Sequence, residues 1–352
     1  MAPARASRVA THVFLLALSL AAAAATPSCQ NTVDGVLTLG NSSAFVTYGT
    51  STTVFVQGCN NTVTTAAGEM VIINGNNNTV ANNSYGVSNT CGAQSCPASF
   101  VGTCTFHVII DVANSNVVTD NVDLECAYLS RWASGNVFKF NDVPFFTDSS
   151  SASDNTATNN TIGTRIRLTW GASSNVVENN VATYLTDSDS ASGNTVVGNT
   201  VAGGYIGLYT QTMNNTVTGN TANTSIALNN HATNNTIRGN IDSASYIYAG
   251  TDASDNVISL NNATFGRIAD YKDASGNTIT GNAASEIEVS MHASHNVVSG
   301  NMATNHIRMH SLASGNTVVG NEATEIADSD GASNNTIQCV ATAPTGIHTA
   351  AY

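Results

Sequence analysis

The chain has 352 residues, a formal net charge of −13 and charged side chains at only 9% of positions. With 10 Lys and Arg in all, it lacks the clustered positive charge that nucleic-acid binding needs, so no nucleic-acid partner is expected. Beyond the first residues no apolar run reaches the roughly 18 residues of a membrane span, so no membrane span is expected either.

Residues 1–25 have the features of a signal peptide. Arg5 and Arg8 form a short positive segment, Val13 to Leu20 are apolar, and Ala21 to Ala25 supply small residues for cleavage. We therefore predict a secreted protein, extracellular or surface-associated, whose net charge becomes about −15 once these two arginines are removed.

The remaining chain divides by its pattern into three parts. Residues 26–60 alternate apolar and polar positions and are interpreted as an N-terminal cap or lead-in, because the open end of a solenoid exposes unpaired strand edges. Residues 61–340 carry a repeat that is interrupted near 84–105 by a Cys-rich loop insertion. Residues 341–352 form a C-terminal tail.

Seven cysteines in an exported chain permit disulfides, but the sequence does not determine their pairing. The odd number leaves one thiol free or available for an intermolecular bond. No Cys-x-x-Cys pair and no histidine spacing typical of a zinc site is found, so neither a metal nor another cofactor is expected. The disulfide candidates lie in the insertion and one coil beyond it: Cys91, Cys96, Cys104 and Cys126.

The repeat is a nine-residue phrase such as Ala-Ser-Gly-Asn-Thr-Val-Val-Gly-Asn, which recurs every 19 to 21 residues and indicates a solenoid. β-Branched residues, Asn and Gly in every phrase exclude helical repeats, and the leucine-rich signature is absent. The pattern predicts an all-β fold, a single-stranded right-handed parallel β-helix of about 13–14 coils with roughly 20 residues each, ~65 Å long.

Two asparagines of the phrase, five residues apart, predict Asn ladders along the solenoid axis. Stacked side-chain amides can hydrogen-bond from coil to coil, and asparagine also accommodates the left-handed conformation of a tight corner. The first column is Asn116, Asn136, Asn155, Asn175, Asn194, Asn215, Asn235, Asn256, Asn277, Asn296, Asn316 and Asn335. The second is Asn121, Asn141, Asn160, Asn180, Asn199, Asn220, Asn240, Asn261, Asn282, Asn301 and Asn321.

A second strand in each coil carries the residues that do not repeat. Its inward position is apolar, so its neighbours on both sides point outward. Most of the tyrosines lie there, and tyrosines around small residues suit stacking against sugar rings. The alternative is that tyrosine is simply a good strand residue that stacks between strands. The ligand-binding candidates are Tyr184, Tyr205, Tyr209, Tyr246, Tyr248 and Tyr271.

Further along the same face, Glu286 and Glu288 are two residues apart on one strand, with their carboxylates about 7 Å apart, as in an inverting glycosidase. His306 and Arg308 lie one coil away and are candidates for a base and an anion clamp. His310 follows on the same strand. The alternative is a solvated sheet of alternating charges, in which Glu288 stacks directly against Arg308.

Two further sets of residues carry expectations of their own. Asp187, Asp270 and Asp328 occupy otherwise inward positions and predict local bends at corners, since they are too far apart to share a metal. Ten Asn-x-Ser/Thr sequons are candidate glycosylation sites if the chain passes through a eukaryotic secretory pathway. They are Asn41, Asn60, Asn77, Asn82, Asn159, Asn214, Asn223, Asn234, Asn262 and Asn334.

The Asn-Thr-Val-x-Gly-Asn phrase resembles the right-handed parallel β-helix superfamily, which includes pectate-lyase-like enzymes and alginate epimerases and lyases. The resemblance is to the scaffold, and no catalytic residue follows from it, because the motifs of the enzyme families are absent. We expect a structural, adhesive or carbohydrate-binding surface protein whose partner is a polysaccharide or surface glycan. The first alternative is a polysaccharide lyase, epimerase or hydrolase, and the second is an ice-binding protein with a threonine-rich face. The oligomeric state does not follow from the sequence.

Overall fold

The computed structural model describes residues 151–242 and 246–338 continuously, and before them residues 77–81, 114–121, 132–148 and separate strands between Leu37 and Ser130. Every secondary-structure element in these residues is a β-strand, and neighbouring strands pair in parallel. The prediction of an all-β parallel solenoid is therefore confirmed. The signal peptide, the Cys-rich stretch and the C-terminal tail lie outside the described residues.

Within the part of the chain that the structure describes, the strands form two sheets, one of 18 and one of 15 strands. Sheet A has 18 strands: Leu37–Thr38, Thr53–Val56, Met70–Ile73, His107–Asp111, Cys126–Ser130, Asp142–Asp148, Thr161–Leu168, Val181–Ser188, Thr200–Val201, Tyr205–Tyr209, Thr221–Ala222, Ser225–Asn229, Ile241–Asp242, Tyr246–Gly250, Asn262–Tyr271, Ala283–Ser290, Met302–Met309 and Glu325–Asp328. Sheet B has 15 strands: Ala44–Val46, Thr62–Thr64, Thr79–Ala81, Val117–Thr119, Val137–Lys139, Thr156–Thr158, Val176–Glu178, Thr195–Val197, Thr216–Thr218, Thr236–Arg238, Val257–Ser259, Thr278–Thr280, Val297–Ser299, Thr317–Val319 and Thr336–Gln338.

Sheet B takes one strand from each coil, and its 15 strands slightly exceed the predicted 13–14 coils. The difference arises because residues of the predicted lead-in also contribute, for example Ala44–Val46, which pairs with Thr62–Thr64. Strand Thr79–Ala81 pairs directly with Val117–Thr119. These two coils are therefore neighbours although 38 residues separate their ladder asparagines.

Each coil turns at three corners where the backbone takes a positive φ. In one coil the corners are at Lys272 and Asp273 (φ 58° and 65°), at Gly276 (66°) and at Gly281 (63°). A single bridging residue follows the first corner, a three-residue strand of sheet B follows the second, and a strand of sheet A follows the third. The bridging residues form a third parallel column, which in these coils is Ser254, Ser275, Ser294 and Ser314.

The positive φ belongs to the residue before each ladder asparagine, as at Asn214 (59°) before Asn215 and Gly198 (64°) before Asn199. This differs from the expectation that the ladder asparagines themselves take the corner conformation. The positive φ and the ladder hydrogen bonds belong to different residues for a physical reason. The corner needs a residue that tolerates the left-handed region, such as Gly, Asn or Asp, while the next residue points its amide into the ladder.

The Asn ladders satisfy all the polar atoms of each side chain. The Oδ1 of Asn256 accepts from the backbone N–H of Asn235 (2.9 Å) and from its Nδ2 (3.1 Å). The same Nδ2 also donates to the carbonyl of Thr212 at 3.2 Å. From Asn116 to Asn321 the ladder asparagines are at most 5% exposed. Each rung therefore ties three neighbouring coils together without leaving a buried donor or acceptor unpaired.

Between the ladders lies a continuous apolar core. The central residue of each sheet B strand points inward, as do Val217, Ile237 and Ile258, all with no exposed surface. The inward column of sheet A, which was predicted from its spacing to the ladder, is also buried. Its members are Ile166, Leu185, Ile206, Ile226, Ile247, Ile268, Ile287, Ile307 and Ile326.

Leu260 departs from the glycine pattern at the third corner. It has φ 54° and an exposed side chain, whereas six coils have glycine in this column: Gly198, Gly219, Gly239, Gly281, Gly300 and Gly320. Because a side chain costs about 1–2 kcal/mol in the left-handed region, Leu260→Gly should raise the free energy of unfolding by about 1 kcal/mol, measured by denaturant titration. The reverse change Gly239→Leu, with open space around its α-carbon, should lower it similarly. A destabilised Leu260→Gly would contradict the backbone argument.

Candidate functional site

The outward residues of sheet A stack in register from coil to coil. On one side of the buried isoleucines the column contains Tyr184, Tyr205, Tyr246 and Glu286, and on the other it contains Gly207, Ala227, Tyr248 and Glu288. The parallel pairing places residues about 20 apart in sequence at about 4.8 Å in space. The predicted ligand-binding and catalytic residues therefore lie along one face.

The six candidate tyrosines lie along one strip of this face, which we call the tyrosine strip. Five of them are linked by ring contacts or hydrogen bonds, and Tyr246 contacts Arg267. Tyr205 contacts Tyr184 edge to face at 5.4 Å between ring centroids, and it contacts Tyr209 at 5.9 Å. Tyr248 and Tyr271 are 5.4 Å apart with an interplanar angle of 34°. Tyr246 is 42% exposed and the other five are half-buried. The strip spans five coils, or ~19 Å along the axis.

Glycines lie beneath several of these rings. A β-carbon on Gly204 would collide with the ring of Tyr184, and one on Gly207 would collide with the ring of Tyr209. The sequence suggested a shallow floor of small residues between flanking aromatics. Instead, the rings lie over the small residues, so a ligand would meet ring faces and edges.

A hydrogen bond between Tyr209 and Tyr248 joins the part of the strip before Ser225 to the part after it. Burial and the contact with Tyr248, which includes a hydrogen bond, raise the pKa of Tyr209 above its usual range. Burial and a hydrogen bond with Tyr248 likewise raise the pKa of Tyr271 to about 12. These hydroxyls therefore stay protonated at neutral pH, and their mutual bonds hold the rings in place before any ligand arrives.

Beyond the tyrosines the face continues as a network of ion pairs centred on Arg267. Its Nε lies 3.7 Å from Glu286 Oε2, its Nη1 binds Glu288 Oε2, and its guanidinium lies 5.2 Å from the ring centroid of Tyr246. One arginine therefore bridges the two carboxylates that the sequence paired and connects them to the tyrosine strip. His306 Nε2 lies 3.6 Å from Glu286 Oε2.

The strand register places Glu288 opposite Arg308, as expected, but their side chains pair elsewhere. Glu288 pairs with Arg267, and Arg308 Nη2 lies 3.5 Å from Glu325 Oε2. Long arginine side chains reach diagonally across a sheet, so the directly opposite residue is not always the partner. The predicted stacking of Glu288 on Arg308 is confirmed by the register, but register alone does not predict which side chains form the ion pairs.

Glu288 is the most enclosed member of this network. Burial alone would raise its pKa, but the hydrogen bond from Ser290 (2.9 Å) and the charges of Arg267 and His310 lower the pKa below its usual value. A glycosidase general acid needs a raised pKa, so this environment suits an ionised carboxylate. The catalytic assignment of Glu286, Glu288, His306 and Arg308 stays a prediction, with Glu288 better placed to orient a partner than to donate a proton.

Asp270 lies in a strand of sheet A rather than at a bend. Its carboxyl is fully buried, and it accepts from Asn277 Nδ2 at 3.2 and 3.5 Å. Burial raises the pKa of Asp270 to about 8. Asp328 is half-buried and bonded in the same way to Asn335 at 3.3 Å. Asp187 also lies in a strand, with its side chain outside the described residues. The expectation of corner bends is therefore wrong.

The outward face of sheet B is less varied. Its first column contains only threonine and valine from Thr79 to Thr336, while Lys139, Glu178 and Arg238 interrupt its second column. Ice binding through this face stays a prediction. Within the described residues, no group of three or more His, Cys, Asp or Glu side chains could hold a metal ion. No helix among them is long and apolar enough to cross a membrane.

The structure describes only some of the predicted glycosylation and disulfide sites. Every sequon asparagine that the structure describes is exposed: Asn77, Asn159, Asn214, Asn223, Asn234, Asn262 and Asn334. Asn41, Asn60 and Asn82 lie outside the described residues, as do Cys91, Cys96, Cys104 and the side chain of Cys126. Export, glycosylation and disulfide pairing therefore stay predictions.

No protein-family model, no curated protein and no solved structure matches this chain. The likeness to parallel β-helix proteins is a likeness of scaffold, so any functional conclusion depends on this chain's own side chains.

The sequence grouped His310 with the patch from Glu286 to Arg308, but it did not identify Arg267 or Ser311, which lie next to the site, as candidates. Ser311 lies at a corner, and its contact with His310 depends on how the chain turns there. The available signal was the unique His-Ser pair at a position where other coils have residues such as Tyr271-Lys272 or Ser290-Met291.

Proposed function

We propose that this protein is a carbohydrate-binding solenoid that holds a glycan chain along the tyrosine strip. The observation that carries the proposal is the linked contacts of five tyrosines, with Tyr246 beside them, within a strip of five coils whose ring surface is still partly open to solvent. Tyrosine offers an apolar ring and a polar tip, which matches the alternating apolar and hydroxyl-bearing surfaces of sugars.

Two physical features favour an extended ligand. The strip runs parallel to the solenoid axis for ~19 Å, which suits a polymer better than a single sugar. Its rings are held by one another and by Arg267, so little side-chain entropy is lost when a ligand binds. The chain is acidic overall, so a neutral glycan is favoured over a strongly anionic one.

The test is retention of the purified protein on a panel of insoluble polysaccharides. The triple variant Tyr205→Ala, Tyr246→Ala, Tyr248→Ala should lose retention at least about tenfold, because exposed aromatic rings dominate such contacts. The matched control is Thr195→Ala, Thr216→Ala, Thr236→Ala, which removes half-exposed side chains from sheet B in nearby coils. Equal retention by the tyrosine variant and wild type would remove the strip from consideration.

The same incubation separates the competing functions. Retention with unchanged polymer length favours a binding or adhesive protein. Shortened chains would favour a lyase or hydrolase acting through the carboxylates at Glu286 and Glu288. Thermal hysteresis that is lost in the threonine variant would favour ice binding by sheet B.

A further inference from the structure

Glu288, His310 and Ser311 form a chain of hydrogen bonds that leads out of the sheet. His310 Nε2 lies 2.7 Å from Glu288 Oε1, and His310 Nδ1 lies 2.8 Å from Ser311 Oγ. We propose that these residues are a nucleophile, base and orienting acid that hydrolyse carboxylic esters, with Ser311 as the nucleophile. This site uses different residues from the tyrosine strip, so either proposal can fail alone.

The partners of Glu288 determine which nitrogen of His310 carries the proton. Arg267 and Ser290 both donate to Glu288, which keeps it ionised and able only to accept. Neutral His310 must therefore carry its hydrogen on Nε2, facing Glu288. Its Nδ1 is then free of hydrogen and accepts the Ser311 hydroxyl. A base oriented by a carboxylate and bonded to a hydroxyl is the arrangement that activates a serine.

Ser311 opens onto a surface cavity of about 390 Å³. The corner conformation at Ser311 (φ 52°) takes it away from the strand that ends at Met309. Met291 and Leu312 line the cavity with side chains that are 51% and 55% exposed. These apolar groups suit a short acyl chain. Lys272 also lines the cavity, together with Asp273 and His292, whose Oδ1 and Nδ1 lie 3.6 Å apart, so the cavity wall carries a carboxylate as well as an ammonium group.

The reaction is balanced with water as the only co-reactant. Ser311 Oγ bonds to the ester carbonyl carbon while its proton passes to His310 Nδ1. The carbon–oxygen bond to the alcohol then breaks, and the leaving oxygen takes that proton. Water attacks the acyl-serine in the same way, giving its proton to His310 and then to Ser311 Oγ. The products are an alcohol and a carboxylic acid, and Glu288 stabilises the imidazolium in both stages.

The experiment is labelling of the wild-type protein with a fluorophosphonate probe, followed by peptide mapping, together with hydrolysis of p-nitrophenyl acetate and butyrate. We expect label on Ser311, its loss in Ser311→Ala, and at least a 100-fold fall in ester hydrolysis in Ser311→Ala and His310→Asn. Glu288→Gln should lower the hydrolysis rates of both p-nitrophenyl esters at least tenfold. The matched control is Thr251→Ala, a hydroxyl in the same corner column that follows Gly250 instead of a histidine.

Failure of a variant to fold does not obscure the result, because the labelling test uses the unaltered protein. Wild type that takes up no label, or takes it up at another serine, overturns the proposal. Hydrolysis that persists in Ser311→Ala overturns it too. Circular dichroism of each variant must match wild type before its rate is compared, and Ser311→Ala removes a single surface oxygen.

Discussion

Asn235→Ala, in the middle of the first ladder, is expected to lower the free energy of unfolding by about 3–5 kcal/mol. The substitution removes the acceptor for the backbone N–H of Asn215 (2.9 Å) and for its Nδ2 (3.0 Å). It also removes the donor to the carbonyl of Thr212. Each buried group left without a partner costs about 1–3 kcal/mol, and Asn235 has no exposed surface.

The measurement is urea unfolding followed by far-ultraviolet circular dichroism, with hydrogen exchange to locate the weakened coils. The control is Asn305→Ala, whose exposed amide donates to Ser285 Oγ at 3.0 Å and should change stability by no more than about 0.5 kcal/mol. Because each coil contacts only its neighbours, loss of protection should concentrate around the substituted rung. Equal effects of the two substitutions would show that the ladders contribute little.

Asp270→Asn is expected to raise stability by about 5 kcal/mol at pH 9 and to change it little at pH 4. Burial raises the pKa of Asp270 to about 8, against a reference value of 3.8. Below about pH 4 the carboxyl is protonated in both states, so its stability contribution is fully present. As the pH rises, the unfolded chain loses the proton first, and stability falls until the folded carboxyl ionises near pH 8.

Asparagine keeps the shape of the protonated carboxyl and can still accept from Asn277, so the variant should have a flatter stability–pH curve. The measurement is the free energy of unfolding at pH 4, 7 and 9. Asp328→Asn is the matched control, because Asp328 lies in the same inward column but is half-buried. It should change stability by less than about 1 kcal/mol at each pH. Identical pH dependence of Asp270→Asn and wild type would contradict the assignment.

The period of the asparagines was enough to predict the fold, because in a solenoid residues one repeat apart in sequence are neighbours along the axis. This rule correctly placed Asn235 next to Asn256, Tyr184 next to Tyr205, and the isoleucines in the core. These contacts depend on register alone, and register is fixed by the burial of one face.

Contacts that depend on side-chain direction could not be predicted in this way. Arg267 reaches Glu288 diagonally, and the ring of Tyr209 folds over Gly207 in its own strand. The contact between His310 and Ser311 arises where the backbone leaves the sheet, so no column assignment covers it. Column reasoning finds which residues share a face, while rotamers and corner geometry decide which atoms meet.

The ladders also have a direction. Along most of the first ladder Nδ2 donates toward the next coil, as from Asn116 to Asn136 and from Asn316 to Asn335, so these side-chain amide dipoles point the same way. At Asn277 the Nδ2 donates to Asp270 instead, and only the backbone N–H of Asn277 donates to Asn296 Oδ1. Like the peptide dipoles of a helix, such a row is positive at the end where its N–H groups finish. At that end Asn335 Nδ2 meets both oxygens of Asp328 at 3.3 Å. The last rung is therefore capped by an anion, much as an acidic residue caps the start of a helix, and the axis of this molecule has an electrical polarity that its regular surface conceals.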